Sequence, residues 1–178
     1  NDIEHLASAQ SRYAGWCSAK GRLLATFLVV PCAGGFLLQV SRDLVAAVAK
    51  RLSMFIVRSR VKIADATDRW FQLGLWGPGA VEQLAALGVQ APGGELAVGE
   101  AGGAIAVRIE AQRFLVLAGA DLGERLPPEG TDDEWTLAEV RAGRPLIIMA
   151  TQDQFVPQMV NLELAGGVDF RKGCYPGQ

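Results

Sequence analysis

The strongest candidate for chemistry in the sequence is a cysteine near its end. Cys174 lies between Gly173 and Gly177, and glycines allow a tight turn that leaves a sulfur atom accessible. It follows Arg171 and Lys172, whose positive charges favour the thiolate over the thiol. These neighbours predict a reactive thiol, and an inert buried cysteine is the alternative that they leave open.

Other arrangements of catalytic side chains are largely missing. His5 is the only histidine, so a catalytic triad or a Cys-His dyad has a single candidate base. Cys17 and Cys32 belong to apolar strands and are predicted to be structural. With Cys174 they make three cysteines, which are too few and odd in number for a disulfide framework. The cysteine content therefore predicts a reducing, cytoplasmic compartment.

No metal site is predicted. The sequence has no CxxC pair and no His/Cys cluster, which excludes a tetrahedral zinc site or an iron–sulfur cluster held by this chain alone. An acidic run at residues 132–134 directly precedes a predicted helix, where carboxylates usually stabilise the helix dipole. We therefore interpret these three carboxylates as residues that serve the start of a helix.

The composition limits the classes of protein to which the chain can belong. Of its 178 residues, 50% are hydrophobic and 20% are charged, which is enough to bury a core and excludes disorder. The formal net charge of -2 predicts no direct, stable binding of nucleic acid. The longest apolar runs are short or interrupted by charges, so no membrane span is predicted. The abrupt ends at Asn1 and Gln178 predict a fragment of a longer chain.

Two rounds of strands, each with a helix, are predicted to carry these residues. In the first round, aromatic and β-branched residues predict strands over residues 12–17, 21–30 and 36–40. An amphipathic helix is predicted from Ser41, its N-cap, to Leu52. Alternation of charged and apolar residues then predicts a half-buried strand over residues 56–63.

In the second round, a strand over residues 71–76 precedes a helix that begins at Pro78, and a hairpin covers residues 104–117. A further helix is predicted over residues 135–142. This order predicts an α+β fold of ferredoxin-like units, with helices on one face of antiparallel strands, and it does not support a Rossmann fold. The predicted division is residues 1–68, on which the C-terminal loop segment packs, then 69–142, then a loop-rich segment at 143–178.

Several motifs resemble those of the YgfZ family, the folate-binding proteins that support iron–sulfur enzymes and are relatives of the glycine-cleavage T protein. The run KGCYPGQ at residues 172–178 resembles the family signature KGCYxGQ. Residues 155–167 are similar to the segment FxPQxxNL…GG, and residues 135–145 are similar to WxLA…AGxP. Near the start, residues 1–22 are similar to ND…CxxKGR. The motifs therefore cover both ends of the chain.

The resemblance implies a cavity for tetrahydrofolate or a folate derivative where the ferredoxin-like units meet, and a C-terminal barrel domain that this sequence lacks. Trp135 is expected to stack on the ligand, and Lys20 and Arg22, which flank Gly21, are expected to face its glutamate tail. Cys174 matches the signature cysteine and is expected to be the functional thiol. The candidate ligand-binding residues are Trp135, Lys20, Gly21, Arg22, Asn161, Lys172 and Tyr175.

Two departures from the related aminomethyltransferases bear on the reaction. Their catalytic aspartate follows the glycine that matches Gly21, whereas residues 23–25 of this chain are Leu-Leu-Ala, and apolar side chains cannot replace a carboxylate. Where the T protein and some YgfZ members have a glutamate, this chain has Arg141. An arginine there does not provide the two hydrogen bonds that a carboxylate makes with the amidine-like edge of a pterin.

The leading hypothesis is a folate-binding accessory protein that supports assembly or repair of iron–sulfur clusters in client enzymes, such as those that modify tRNA. Its expected partners are folate and these client enzymes or the assembly machinery. The alternative is a tetrahydrofolate-dependent one-carbon transferase, and a third hypothesis is a binding module in which Cys174 is only structural. The sequence leaves open whether the protein catalyses a reaction.

Overall fold

The computed structural model describes residues 2–119, 121 and 130–171 and contains two antiparallel sheets. The first sheet has the order β1 (Arg12–Cys17), β2 (Leu23–Cys32) and β3 (Gly35–Gln39). The second sheet has the order β4 (Phe71–Trp76), β7 (Arg113–Ala118), β6 (Ala104–Glu110) and β5 (Val98–Ala101). Neighbouring strands in both sheets are joined by antiparallel hydrogen bonding.

Helices cover the outer faces of the sheets. A 3-10 turn (Arg42–Leu44) leads into α1 (Val45–Ser53), and α2 (Ala80–Ala86) connects β4 to β5. Helix α3 (Asp132–Arg141) precedes the C-terminal segment, residues 142–171, which contains 3-10 turns at Met149–Thr151 and Pro157–Val160. A further 3-10 turn, Thr67–Arg69, leads into β4.

Strand β2 is buried on both faces and joins two parts of the core. Leu28 and Val30 pack against apolar residues of β6 and β7, so the two sheets share a core. The alternate residues, including Phe27, pack with α1 and the C-terminal segment on the opposite face. Helix α2 closes the outer face of the second sheet. The order of the layers is therefore α1 with the C-terminal segment, the first sheet, the second sheet and α2.

The prediction of an α+β fold with antiparallel strands is confirmed. The predicted strand over residues 56–63 is wrong, because these residues form no strand and are exposed except for partial burial at the two ends. Alternation favours a strand only where a neighbouring strand is available for hydrogen bonding. The division into three units stays a prediction. Among the described residues, the helices are too short or too polar to span a bilayer.

Candidate functional site

A cavity of about 900 Å³ lies between the first sheet, the second sheet, helix α3 and the C-terminal segment. Its volume is within the range of about 300–1,000 Å³ that is typical of small-molecule sites. Where β3 and β4 approach each other in the wall, Nε2 of Gln39 donates to Oε1 of Gln72 at 2.9 Å. The other polar or aromatic wall residues include Tyr13, Thr26, Ser41, Arg42, Trp135, Glu139, Arg144 and Asn161.

The start of α3 fixes the position of Trp135 in this wall. Thr131 is the N-cap, its side chain accepts from the backbone N–H of Glu134, and the Glu134 carboxylate accepts from the backbone N–H of Thr131. This reciprocal pair satisfies two backbone donors that an uncapped helix leaves open. The predicted role of residues 132–134 at the start of a helix agrees with the structure, but the helix begins at Asp132 and not at Trp135, so all three acids lie in its first turn.

A glycine in β4 makes room for the indole of Trp135. A methyl group added at Gly74 would overlap the Trp135 ring, so the close approach of strand and indole requires a glycine. The ring centre of Trp76 lies 6.0 Å from that of Trp135, and the two planes are tilted by 58°. On another side, Cζ of Arg113 lies over the indole, 4.9 Å from the ring centre, in a cation–π contact. Trp135 is therefore held by β4 and β7.

Two arginines and two glutamates form an ionic cluster beside Trp135. Oε1 of Glu139 lies 2.7 Å from Nη2 of Arg113 and 3.4 Å from Nη1 of Arg144. Oε1 of Glu110 lies 3.0 Å from Nη2 of Arg113 and 2.8 Å from Nη2 of Arg144. Both arginine side chains are nearly buried, with 5% and 7% of their surface exposed. The shortest contacts of Glu139 with both arginines are made by Oε1.

Burial governs the protonation of two groups in the cavity wall. Burial raises the pKa of Glu139, and the neighbouring Arg144 and Arg113 offset only part of this effect. Burial also raises the pKa of Tyr13, whose ring centre is 5.9 Å from Cζ of Arg144. A ligand that donates hydrogen bonds to Glu139 would favour its charged form. The cavity wall therefore includes an aromatic ring, a carboxylate and nearby cations.

The C-terminal segment closes the cavity through polar contacts with the first sheet and with the 3-10 turn Arg42–Leu44. Thr26, in the middle of β2, accepts a hydrogen bond from the backbone N–H of Ile147 at 3.0 Å. Asp43 accepts from the backbone N–H of Met149 at 2.9 Å, and Gln152 donates to the carbonyl of Leu24 at 2.7 Å. These contacts place residues 143–146, Val160 and Asn161 in the wall.

A comparison with known proteins finds a similar sequence. The chain is 32% identical to the tRNA-modifying protein YgfZ of Klebsiella pneumoniae (strain 342) over 186 aligned positions, which cover 99% of this chain. This likeness supports the assignment of the chain to the YgfZ-type family. It spans 57% of the length of that relative. No protein-family model matches the chain.

Two of the ligand-binding residues suggested by the YgfZ resemblance line the cavity. Trp135 lies on α3, and Asn161 ends the 3-10 turn Pro157–Val160. Asn161 has a left-handed backbone with φ of 52°, a conformation that asparagine adopts more readily than most residues. The structure thus brings together two candidates that are distant in sequence. Their contact with a ligand stays a prediction.

The other described candidates of the YgfZ-type motif lie outside the cavity wall. Lys20, Gly21 and Arg22 form the turn between β1 and β2, and Gly21 has φ of 74°, which favours glycine. Lys20 is exposed, and Nη1 of Arg22 donates to the carbonyl of Gln154 at 2.6 Å. The structure does not bring this turn together with Trp135.

One of the three cysteines lies outside the described residues, and the other two lie within them. Cys174 lies outside the described residues, as do Lys172 and Tyr175, so their roles stay predictions. Cys17 and Cys32 have free thiols, and burial raises the pKa of both. Among residues 2–119, 121 and 130–171, no group of three or more His, Cys, Asp or Glu side chains is arranged to hold a metal ion.

Sequence reasoning missed the ionic cluster. Arg141, where the sequence lacked the expected glutamate, is exposed and does not line the cavity, whereas Glu139 does. The spacing of four residues between Trp135 and Glu139 was an available signal, because residues i and i+4 lie on one helix face. The contribution of Arg113 had no such signal, since its contact with α3 is long-range.

Proposed function

We propose that this chain has a role related to tRNA modification, as a folate-binding accessory protein that supports assembly or repair of iron–sulfur clusters in client enzymes. The supporting likeness is to a relative that is called a tRNA-modifying protein. Because the chain spans 57% of that relative, the activity of the whole protein is part of the proposal. In this proposal the folate occupies the cavity and Cys174 supplies the functional thiol.

The observation that carries the proposal is the arrangement of Trp135 and Glu139 in one wall. The indole face suits a flat pterin or benzoyl ring, as aromatic side chains prefer offset stacking. The carboxylate of Glu139 suits the amidine-like edge of a pterin, which donates hydrogen bonds to a carboxylate. A reduced folate would supply one-carbon or redox chemistry when bound, and these residues would bind and orient it.

The cavity also has a cation for the glutamate tail of a folate. Arg42 lines the wall and is exposed, so it can meet a solvated carboxylate at the opening. This position differs from the turn that contains Lys20 and Arg22. We therefore propose Arg42 as the tail contact in the cavity.

The one-carbon transferase remains the alternative, and the cavity gives it no specific support. Residues 23–25 occupy β2 with their side chains buried in the core, at 0–6% exposure. A catalytic carboxylate is needed to activate the folate nitrogen, and none of these side chains can act as one. The accessory role therefore stays the main proposal.

Titration with 5-formyltetrahydrofolate, a stable reduced folate, tests the binding step. Tryptophan fluorescence of the parent should be quenched, and Trp135→Phe should lose most of the quenching, whereas Trp16→Phe should keep it. Glu139→Gln should weaken binding about tenfold, the effect of about 1.4 kcal/mol, while Glu82→Gln on α2 should not. Equal quenching of the parent and Trp135→Phe, with equal affinities, would contradict the proposed site.

A further inference from the structure

The segment from residue 50 to residue 62 carries a concentration of positive charge, and we call it the basic strip. Its five cations are Lys50, Arg51, Arg58, Arg60 and Lys62. The sequence has no acidic residue between Asp43 and Asp65. Because the chain as a whole has a net charge of -2, the rest of it is clearly negative. The charge of the molecule is therefore strongly asymmetric.

All five cations are exposed, and among the described residues none of them takes part in an ion pair. Arg51 lies over the ring of Trp16, with Cζ 5.4 Å from its centre, which leaves its charge at the surface. Phe55 is 70% exposed in the same strip. An exposed aromatic ring among unpaired cations is a combination that single-stranded nucleic acids recognise.

We propose that the basic strip contacts RNA, with its cations on the phosphates and Phe55 stacked on an unpaired base. This inference rests on the proposed function, since a role in tRNA modification supplies the reason for RNA to be near. Phosphates complement the charge of the strip, and RNA proteins commonly stack aromatic or arginine side chains on unstacked bases. Five contacts give a transient, salt-sensitive interaction, which is compatible with the absence of stable binding predicted from the whole-chain charge.

A membrane surface fits the strip less well. The apolar face of α1 is already used, because Val48 is buried in the core and Leu52 packs against the same cluster. Beyond the helix the backbone is irregular, and within the described residues no backbone hydrogen bond is donated by residues 57–65. A backbone of this kind cannot enter a bilayer without leaving polar groups unsatisfied, whereas against RNA it stays in water.

Fluorescence anisotropy with a labelled, unmodified tRNA transcript tests the proposal on the whole chain. The parent should bind with an affinity that falls steeply between 50 and 200 mM salt. Arg58→Gln/Arg60→Gln should lower the affinity about tenfold or more and reduce the salt slope by about two. The control Arg141→Gln/Arg171→Gln removes the same charge from other exposed positions and should leave both quantities nearly unchanged.

Two further variants separate phosphate contacts from stacking and from misfolding. Arg58→Lys/Arg60→Lys keeps the charge and should retain most of the affinity, because phosphate contacts are mainly electrostatic. Phe55→Ala should weaken binding about fivefold or more without changing the salt slope. Circular dichroism spectra that match the parent are required of each variant.

Other outcomes overturn the proposal. Absence of tRNA binding by the parent does so, and so does an equal loss in the Arg141/Arg171 control. Tighter binding to vesicles of 25% phosphatidylserine than to tRNA, lost in Arg58→Gln/Arg60→Gln, would assign the strip to a membrane. Folate titration of the same samples distinguishes the two proposals. Folate binding without RNA binding would refute only the RNA contact, and RNA binding without folate binding would refute only the folate site.

Discussion

Replacing Arg113 by methionine is expected to destabilise the fold through the ionic cluster. The variant loses the ion pairs with Glu139 at 2.7 Å and Glu110 at 3.0 Å. Removing one partner of a buried pair costs about 3–5 kcal/mol. However, Nε and Nη1 of Arg113 lack hydrogen-bond partners within the described part of the chain. Removing a buried polar group without a partner increases the free energy of unfolding by about 1–3 kcal/mol. We expect a net loss of about 2 kcal/mol in the free energy of unfolding.

The double variant Arg113→Met/Glu139→Leu sharpens this expectation. Each single variant leaves a charged partner in a site where the Arg113 side chain is 5% exposed and the Glu139 side chain 25% exposed, whereas the double variant replaces both by apolar side chains. Such a replacement is often neutral or stabilising. The double variant should therefore be more stable than the two single losses predict, with a coupling energy of about 1–3 kcal/mol. Arg144 still faces Glu110 at 2.8 Å in all of these proteins.

Urea unfolding at pH 7, followed by circular dichroism, measures the four free energies. The control cycle Arg141→Met/Glu82→Leu uses exposed residues of α3 and α2, and its two losses should add within about 0.5 kcal/mol. A coupling energy below about 0.5 kcal/mol between Arg113 and Glu139 would refute the buried ion pair. A double variant that loses the full sum of the single losses would refute it equally.

Three further expectations concern the wall, its pH dependence and the thiol. Gly74→Ala should displace the Trp135 indole and weaken 5-formyltetrahydrofolate binding about tenfold, which corresponds to about 1.4 kcal/mol. The control Gly35→Ala adds a methyl group in open space and should leave the affinity unchanged. Hydrogen bonding from a serine hydroxyl and a backbone N–H lowers the pKa of Asp43. The stability this gives is therefore present at neutral pH and lost as the pH falls through the lowered pKa, so the Tm difference between parent and Asp43→Asn should shrink as the pH falls below about 3.9, the usual pKa of an aspartate. Cys174→Ala should abolish support of iron–sulfur enzymes in complemented cells and leave the Tm unchanged. Cys17→Ala should lower the free energy of unfolding by about 1 kcal/mol and retain this support. Loss of support in both variants would contradict the assignment of Cys174 as the functional thiol.

Local patterns predicted most of the sheet strands because each follows directly from neighbouring residues. The strand at residues 71–76 is predicted and observed with the same bounds, and the predicted hairpin agrees with β6 and β7. Strand β5 was not predicted, because its pairing with β6 decides its conformation. The same rule explains the error at residues 56–63, where the pattern of a strand exists without a strand beside it.

The sequence identified residues of the site only where a residue of a family-like motif also lines the cavity. Trp135 and Asn161 came from the family resemblance, and both line the wall. The cluster around Glu139 depends on the end of the β6–β7 hairpin lying beside α3, a contact between residues more than twenty positions apart. Periodicity describes a single element and does not show which charged residues of two elements will meet.

The hydrogen bond between Thr26 and Ile147 has a consequence for synthesis of the protein. The two residues are 121 positions apart, and Thr26 leaves the ribosome long before its partner exists. The face of β2 that later meets the C-terminal segment therefore stays uncovered on the nascent chain, as a broad apolar surface. We expect chaperones to bind this face during translation, and the ligand cavity to form only after residue 161 has emerged.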